Sequence, residues 1–92
     1  MFNGIIYNKG KVYKIEKRKT GLNLFIKSNL KITKNHLGIS ISCDGVCLTL
    51  ISLKKKVAEF YLSNETLNKS KFRNIKLGDE INLEMPLKKG QN

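Results

Sequence analysis

The sequence has no tryptophan, one proline, one histidine, two cysteines and only seven carboxylates in 92 residues. Each shortage closes off a class of protein. With His36 alone and the carboxylates scattered, neither a Ser-His-Asp set nor a paired-carboxylate site can be assembled, so no catalytic residue is assigned. Cys43, Cys47 and His36 fall short of the four ligands a structural zinc site takes, and no metal is expected. A Cys43–Cys47 disulfide is conceivable, but two reduced thiols are the simpler reading for a cytosolic chain. No apolar run approaches the roughly 18 residues of a membrane-spanning helix. The opening Met1-Phe2-Asn3-Gly4-Ile5-Ile6 lacks the charged and apolar blocks of a secretory signal, and a cytoplasmic location is expected. The length suits one domain with a single modest core.

Negative charge is the other scarcity. Eighteen Lys and Arg leave a formal net charge of +11. Such an excess can mark a partner of nucleic acid or an anionic surface. The lysines, however, are spread along the chain, and arginine, which forks onto bases and phosphates, occurs only as Arg18 and Arg73. The chain is also rich in Ile and Asn, which share AT-rich codons with Lys. Compositional drift accounts for the charge at least as well as a polyanion does, and nucleic acid is the weaker reading.

What is present is alternation. Ile39-Ser-Ile-Ser-Cys43 and Val46-Cys-Leu-Thr-Leu50 are two period-2 runs joined by Asp44-Gly45, a strong hairpin signal. One face carries Ile39, Ile41, Cys43, Val46, Leu48 and Leu50. The other carries Ser40, Ser42, Cys47 and Thr49, a small hydrogen-bonding face on which a ligand could lie. Upstream, Gly4 to Glu16 reads as a long strand broken by a turn or bulge at Asn8-Lys9-Gly10. Arg18-Lys-Thr-Gly21 is a turn, Leu22 to Lys27 a strand, and Ser28 to Gly38 an irregular loop holding Leu30, Ile32 and Leu37. Downstream, Lys54 to Lys56 is a tip and Val57 to Leu62 a strand with Ala58, Phe60 and Leu62 on one face. Ser63 or Asn64 caps a short helix of about two turns running to Phe72. Lys76 to Asp79 is a turn. Ile81, Leu83 and Met85 point inward from a last strand that Pro86 closes. About six strands and one short helix predict an all-β fold, a six-stranded antiparallel barrel whose closure removes exposed edges.

Met1-Phe-Asn-Gly-Ile-Ile6, Asp44-Gly-Val-Cys-Leu-Thr49, Glu65-Thr-Leu67, Leu77-Gly-Asp79 and Ile81-Asn-Leu-Glu84 stand in an order and spacing that resembles a riboflavin synthase alpha chain, specifically its N-terminal lumazine-binding domain. The resemblance implies a Greek-key barrel over residues 1–87, with 88–92 a tail or the start of a linker. It implies an enzyme of two tandem barrels, working as a trimer, that dismutates two 6,7-dimethyl-8-ribityllumazine molecules into riboflavin and a ribitylamino-pyrimidinedione without a cofactor. Carried over by position, the ligand site would be Gly4, Ile5 and Ile6 along the ring, and Ser40, Cys47, Leu48 and Thr49 from the hairpin. Tyr61, Leu62, Ser63, Asn64, Glu65 and Thr66 would close it. Asn3 stands where the family usually has Thr, Tyr7 where Glu or Gln is common, and Asp44 where Asn is frequent. The second barrel is absent, so the expectation is a domain that binds lumazine and riboflavin while turning over weakly or not at all. A lone barrel would also pair with a second copy as a homodimer, or pack on a C-terminal barrel. Two alternatives stand beside this: a non-catalytic lumazine- or flavin-binding protein, and a basic nucleic-acid-binding barrel.

Overall fold

The alternating runs become the wall of a closed barrel. A computed structural model describes residues 5–31 and 33–86, with the side chains at positions 5, 6, 34 and 86 left aside. The strands are β1 (Ile5–Arg18), β2 (Gly21–Ser28), β3 (Ser40–Cys43), β4 (Val46–Lys54), β5 (Val57–Ser63) and β6 (Glu80–Pro86). Around the barrel they run β1-β2-β5-β4-β3-β6, every neighbouring pair antiparallel, which is a Greek-key order. The predicted faces of the hairpin, β5 and β6 turn inward, with Ile39 and Val46 half-buried at their margin. Leu22, Leu24, Ile26, Ile41, Cys43, Leu48, Leu50, Ala58, Phe60, Leu62, Ile81, Leu83 and Met85 are all buried in one cluster. Removing each large member from water contributes about 1.5–3 kcal/mol, which is what closes the sheet on itself.

Three local expectations are corrected. The break at Asn8-Lys9-Gly10 does not exist: β1 is continuous, and Gly10 pairs at once with Ser28 of β2 and Ile81 of β6. Gly is there for space, since a Cβ would lie 2.5 Å from Ile26 Cγ2. The irregularity falls later, between Val12 and Lys14, where Tyr13 is turned out to solvent. Second, the helix stops early. α1 spans only Asn64–Asn68, and a separate 3-10 turn, Lys71–Asn74, follows with Ser70 as its own cap. Its Phe72 is fully buried in the core, so a hydrophobic anchor pulls the chain inward and ends α1. Third, the Ser28–Gly38 loop contains a 3-10 turn, Lys34–His36. There His36 Nδ1 accepts from the Thr33 N–H at 2.9 Å, a local bond of the kind expected for a loop histidine. The opening motif Met1 to Gly4, Ile32 and the proposed tail 88–92 lie outside the described residues.

The β4–β5 hairpin carries strain. Its two central residues, Lys55 and Lys56, have φ of 47° and 69°, the left-handed region that disfavours residues with a Cβ. Replacing Lys55-Lys56 by Asn-Gly should raise stability by about 1–2 kcal/mol. Urea denaturation reads this as a higher midpoint at unchanged slope.

Candidate functional site

Asp44 and Gly45 take φ of 50° and 86°, the two-residue turn that their identities predict. Asp44 then fastens the turn to its neighbours. Its N–H donates to the Asn82 carbonyl at 2.7 Å, and its Oδ1 accepts from the Asn82 N–H at 2.8 Å. Its Oδ2 lies 2.9 Å from Lys71 Nζ, an ion pair by distance although the ammonium sits off the hydrogen-bond direction. Nothing local in the sequence announces these contacts to Asn82 and Lys71. The register that follows is Ser40↔Thr49, Ile41↔Leu48, Ser42↔Cys47 and Cys43↔Val46. It sets Ser40, Ser42, Cys47 and Thr49 in two cross-strand pairs on the outer face. Ser42 was not among the predicted ligand residues, yet the same alternation selects it.

Beside this face the barrel wall is unstitched. The β4–β5 pairing ends at Leu50↔Phe60, although β4 continues back to Val46 against β3 and β5 continues on to Ser63 against β2. The backbone alternation says where the freed groups point. Leu50 directs its N–H and C=O at the β3 side, to Ile39 at 2.9 Å and from Gly38 at 2.8 Å. Leu48 therefore does the same, and Cys47 and Thr49 aim at β5. On β5, the Asn64 N–H reaches Thr20 at 2.9 Å on the β2 side. By the same period Leu62 faces β2, and Tyr61 and Ser63 face β4. Among the described residues no paired positions follow Leu50↔Phe60 toward Ser63. The result is a seam edged by peptide donors and acceptors, with hydroxyls and a thiol beside it.

The predicted ligand residues divide accordingly. Ser40, Cys47 and Thr49 share the outer face of the hairpin, and Ser63 ends the opposite edge. Ser63 Oγ caps α1 by accepting from the Thr66 N–H at 3.2 Å and lies 3.2 Å from Thr66 Oγ1, which draws Thr66 to the same corner. Leu48 and Leu62 are buried and their peptide groups face β3 and β2, so neither offers a polar group to the seam. The Tyr61 hydroxyl is held by Thr20, through Oγ1 at 2.6 Å and the carbonyl at 3.0 Å. The Asn64 amide donates to the Lys19 carbonyl at 3.3 Å. Both side chains thus brace the β1–β2 turn. Glu65 pairs with exposed Lys69 at 3.1 Å, a contact worth a few tenths of a kcal/mol. Ile5 and Ile6 pair with Pro86 and Met85 of β6, which leaves β6 and β3 between them and β4. Gly4 lies outside the described residues.

The two thiols lie on opposite sides of the wall and are both free: Cys43 is buried, Cys47 exposed. Burial pushes the Cys43 thiol up to about 12 from 9.0, with the Asp44 carboxylate and then Cys47 adding to the rise. A raised thiol pKa means that the fold favours the protonated form. This contribution is complete below the unfolded value of 9.0 and is lost as pH climbs toward about 12. Stability should therefore decline from pH 9 upward, and a thiol reagent at pH 8 should label one cysteine of the native protein and two of the unfolded one.

Comparison with known sequences decides the kinship. Residues 3–86 match the profile of the lumazine binding domain. The chain belongs to the lumazine-binding domain family. Riboflavin synthase of Chlamydia pneumoniae is 40% identical over 93 residues, covering 100% of this chain and 46% of the relative. That of Buchnera aphidicola subsp. Baizongia pistaciae is 37% identical over 92 residues, 99% of this chain and 43% of the relative. That of Brucella abortus is 36% identical over 95 residues, 98% and 47%. This lumazine-binding domain thus spans less than half the length of each.

Proposed function

We propose that the chain is the N-terminal barrel of a riboflavin synthase and that it binds 6,7-dimethyl-8-ribityllumazine, and riboflavin as product, at the β4–β5 seam. The observation that carries this reading is the seam itself, in a chain that matches the lumazine binding domain over residues 3–86. A pteridine-dione edge presents carbonyl oxygens and ring nitrogens in alternation, as a peptide edge does. It can take the place of the missing ladder between Cys47 and Ser63, beyond the last rung that Thr49 and Tyr61 close beside Leu50↔Phe60. Small side chains at Ser40, Ser42, Cys47 and Thr49 leave room for a flat ring, and the Thr66 and Ser63 hydroxyls suit a ribityl chain. Fixed peptide groups on two rigid strands hold the ring with little ordering cost on binding.

Dismutation brings two lumazines together, one giving up a four-carbon unit and the other accepting it. A single barrel offers one seam, so turnover calls for a second barrel: a C-terminal one in a trimer of tandem chains, or a second copy in a homodimer. Two free thiols fit a reducing, cytoplasmic setting. Titration with the lumazine and with riboflavin, followed by fluorescence and then by product analysis, tests both levels. Saturable quenching is expected with either ligand, with little riboflavin formed. An unchanged emission at millimolar ligand would remove the binding reading.

A further inference from the structure

The lysines that look dispersed in sequence are gathered by the fold. Three hollows lie around the strained β4–β5 tip, two of them joined through Asn29 and Lys56 and the third on the Lys54-Lys55 side of the turn. The first, of about 290 Å³, is lined by Lys9, Lys11, Lys27 and Lys56, with Asn29 and Glu80. The second, of about 500 Å³, adds Lys31 and shares Asn29 and Lys56. The third, of about 310 Å³, adds Lys54 and Lys55 along with Lys14 and exposed Tyr13. Eight lysines thus meet two carboxylates, Glu59 and Glu80, at one end of the barrel. Lys14 is partnered by Glu16 at 3.0 Å; the other seven make no ion pair among the described residues.

A second observation is independent of that count. Lys55 and Lys56 both occupy left-handed positions, where the chain's other two-residue turn of this kind has Asp44-Gly45. Codon drift toward AT does not explain the choice, because Asn is as AT-rich as Lys and fits the left-handed region far better. Charge has been kept at the tip against local conformational preference, the pattern of a functional position.

We propose that this end of the barrel binds a linear phosphate polyanion, read through charge density alone. The hollows are larger than one phosphate, and the first two run together through Asn29 and Lys56, which suits a chain of phosphates. They contain no arginine fork, and of their two aromatics the Phe25 ring carries Lys14 at 5.1 Å while Tyr13 stands alone, with no second exposed ring beside it for successive bases to stack on. Bases would therefore go unread, and the backbone of a nucleic acid and an inorganic polyphosphate present the same chemistry. The site lies at the Val57 end of β5 and the seam at the Ser63 end, roughly 20 Å apart at strand rise. It stands or falls without the lumazine reading.

The test uses the intact chain with fluorescent dT20, and linear polyphosphate as competitor, across a salt series. Lys9→Gln, Lys27→Gln and Lys56→Gln together should lower affinity by about tenfold or more at low salt and reduce the log–log salt slope by about 2, at roughly 0.7 per phosphate. The same number of charges removed at the far end, Lys17→Gln, Lys19→Gln and Lys69→Gln, should cost under about threefold. All six side chains are exposed, so both variants keep the fold. Competition by polyphosphate at matched charge supports a site blind to the base; failure to compete with bound dT20 overturns that. Equal losses in the two variants, a larger loss at the far end, or no binding by the wild type at low salt also overturns the proposal.

Discussion

Gly21→Ala should lower the melting temperature by roughly 15 °C or prevent folding altogether. Gly21 opens β2 and is buried opposite Ser63. A Cβ at that position would run into the Leu62 carbonyl group and the Ser63 Cα. These are backbone atoms of the very residues that β2 pairs with, so no rotamer change relieves the clash. Either β2 and β5 separate locally or the two bend, and the adjoining Leu22↔Leu62 contact opens with them. The cost is put at about 3 kcal/mol, the upper part of the overpacking range, out of a total stability of about 5–15 kcal/mol. Thermal unfolding by circular dichroism measures it. A melting point within two or three degrees of the wild type would show that β2 and β5 yield easily, and that Gly21 is only a turn residue. The ligand should also be lost, because Ser63 both ends the seam and caps α1.

Cys47→Trp should weaken riboflavin binding by about a hundredfold, near 2.7 kcal/mol, while leaving stability within about 0.5 kcal/mol. The side chain is exposed on the outer face, paired across from Ser42, so the barrel accommodates an indole without repacking. What the indole covers is the face beside the Cys47 edge that β5 leaves unpaired, where the ring would lie. Cys47→Ser keeps the volume and is expected to bind within about threefold of the wild type. Equilibrium titration by flavin fluorescence, paired with a denaturation curve, separates the two effects. If the Trp variant binds as tightly as the parent, the ligand lies elsewhere on the barrel and the seam has no part in holding it.

Much of the wall was legible in the sequence because a strand has a period of two and a barrel has one wet face. Ile41, Leu48, Phe60 and Ile81 are inward for no other reason than that alternation. Asp44-Gly45 announced its turn because few residues tolerate positive φ. Helix length was misread because local signals near Ser63 start a helix but do not show where it ends. The end is set by Phe72, which is buried only once a barrel exists to receive it. The break assigned to Gly10 failed for a related reason. Sequence shows that a side chain is missing but not whether flexibility or space is the cause, and here Ile26 Cγ2 occupies the space.

The predicted ligand residues divide along the same line. Ser40, Cys47 and Thr49 could be picked out because small polar residues on the wet side of a hairpin are visible as a pattern. That Tyr61 and Asn64 spend their polar groups on the β1–β2 turn could not, since Thr20 and Lys19 are some forty residues away in the chain. By itself the sequence determined the strands, their inward faces, the tight turn at Asp44-Gly45 and the family. Tertiary structure alone decided that the β4–β5 ladder stops at Leu50↔Phe60 and that distant lysines converge on one end. Closure is the reason: pairing and charge proximity depend on how six strands are staggered around a ring, a quantity no local stretch of the chain contains.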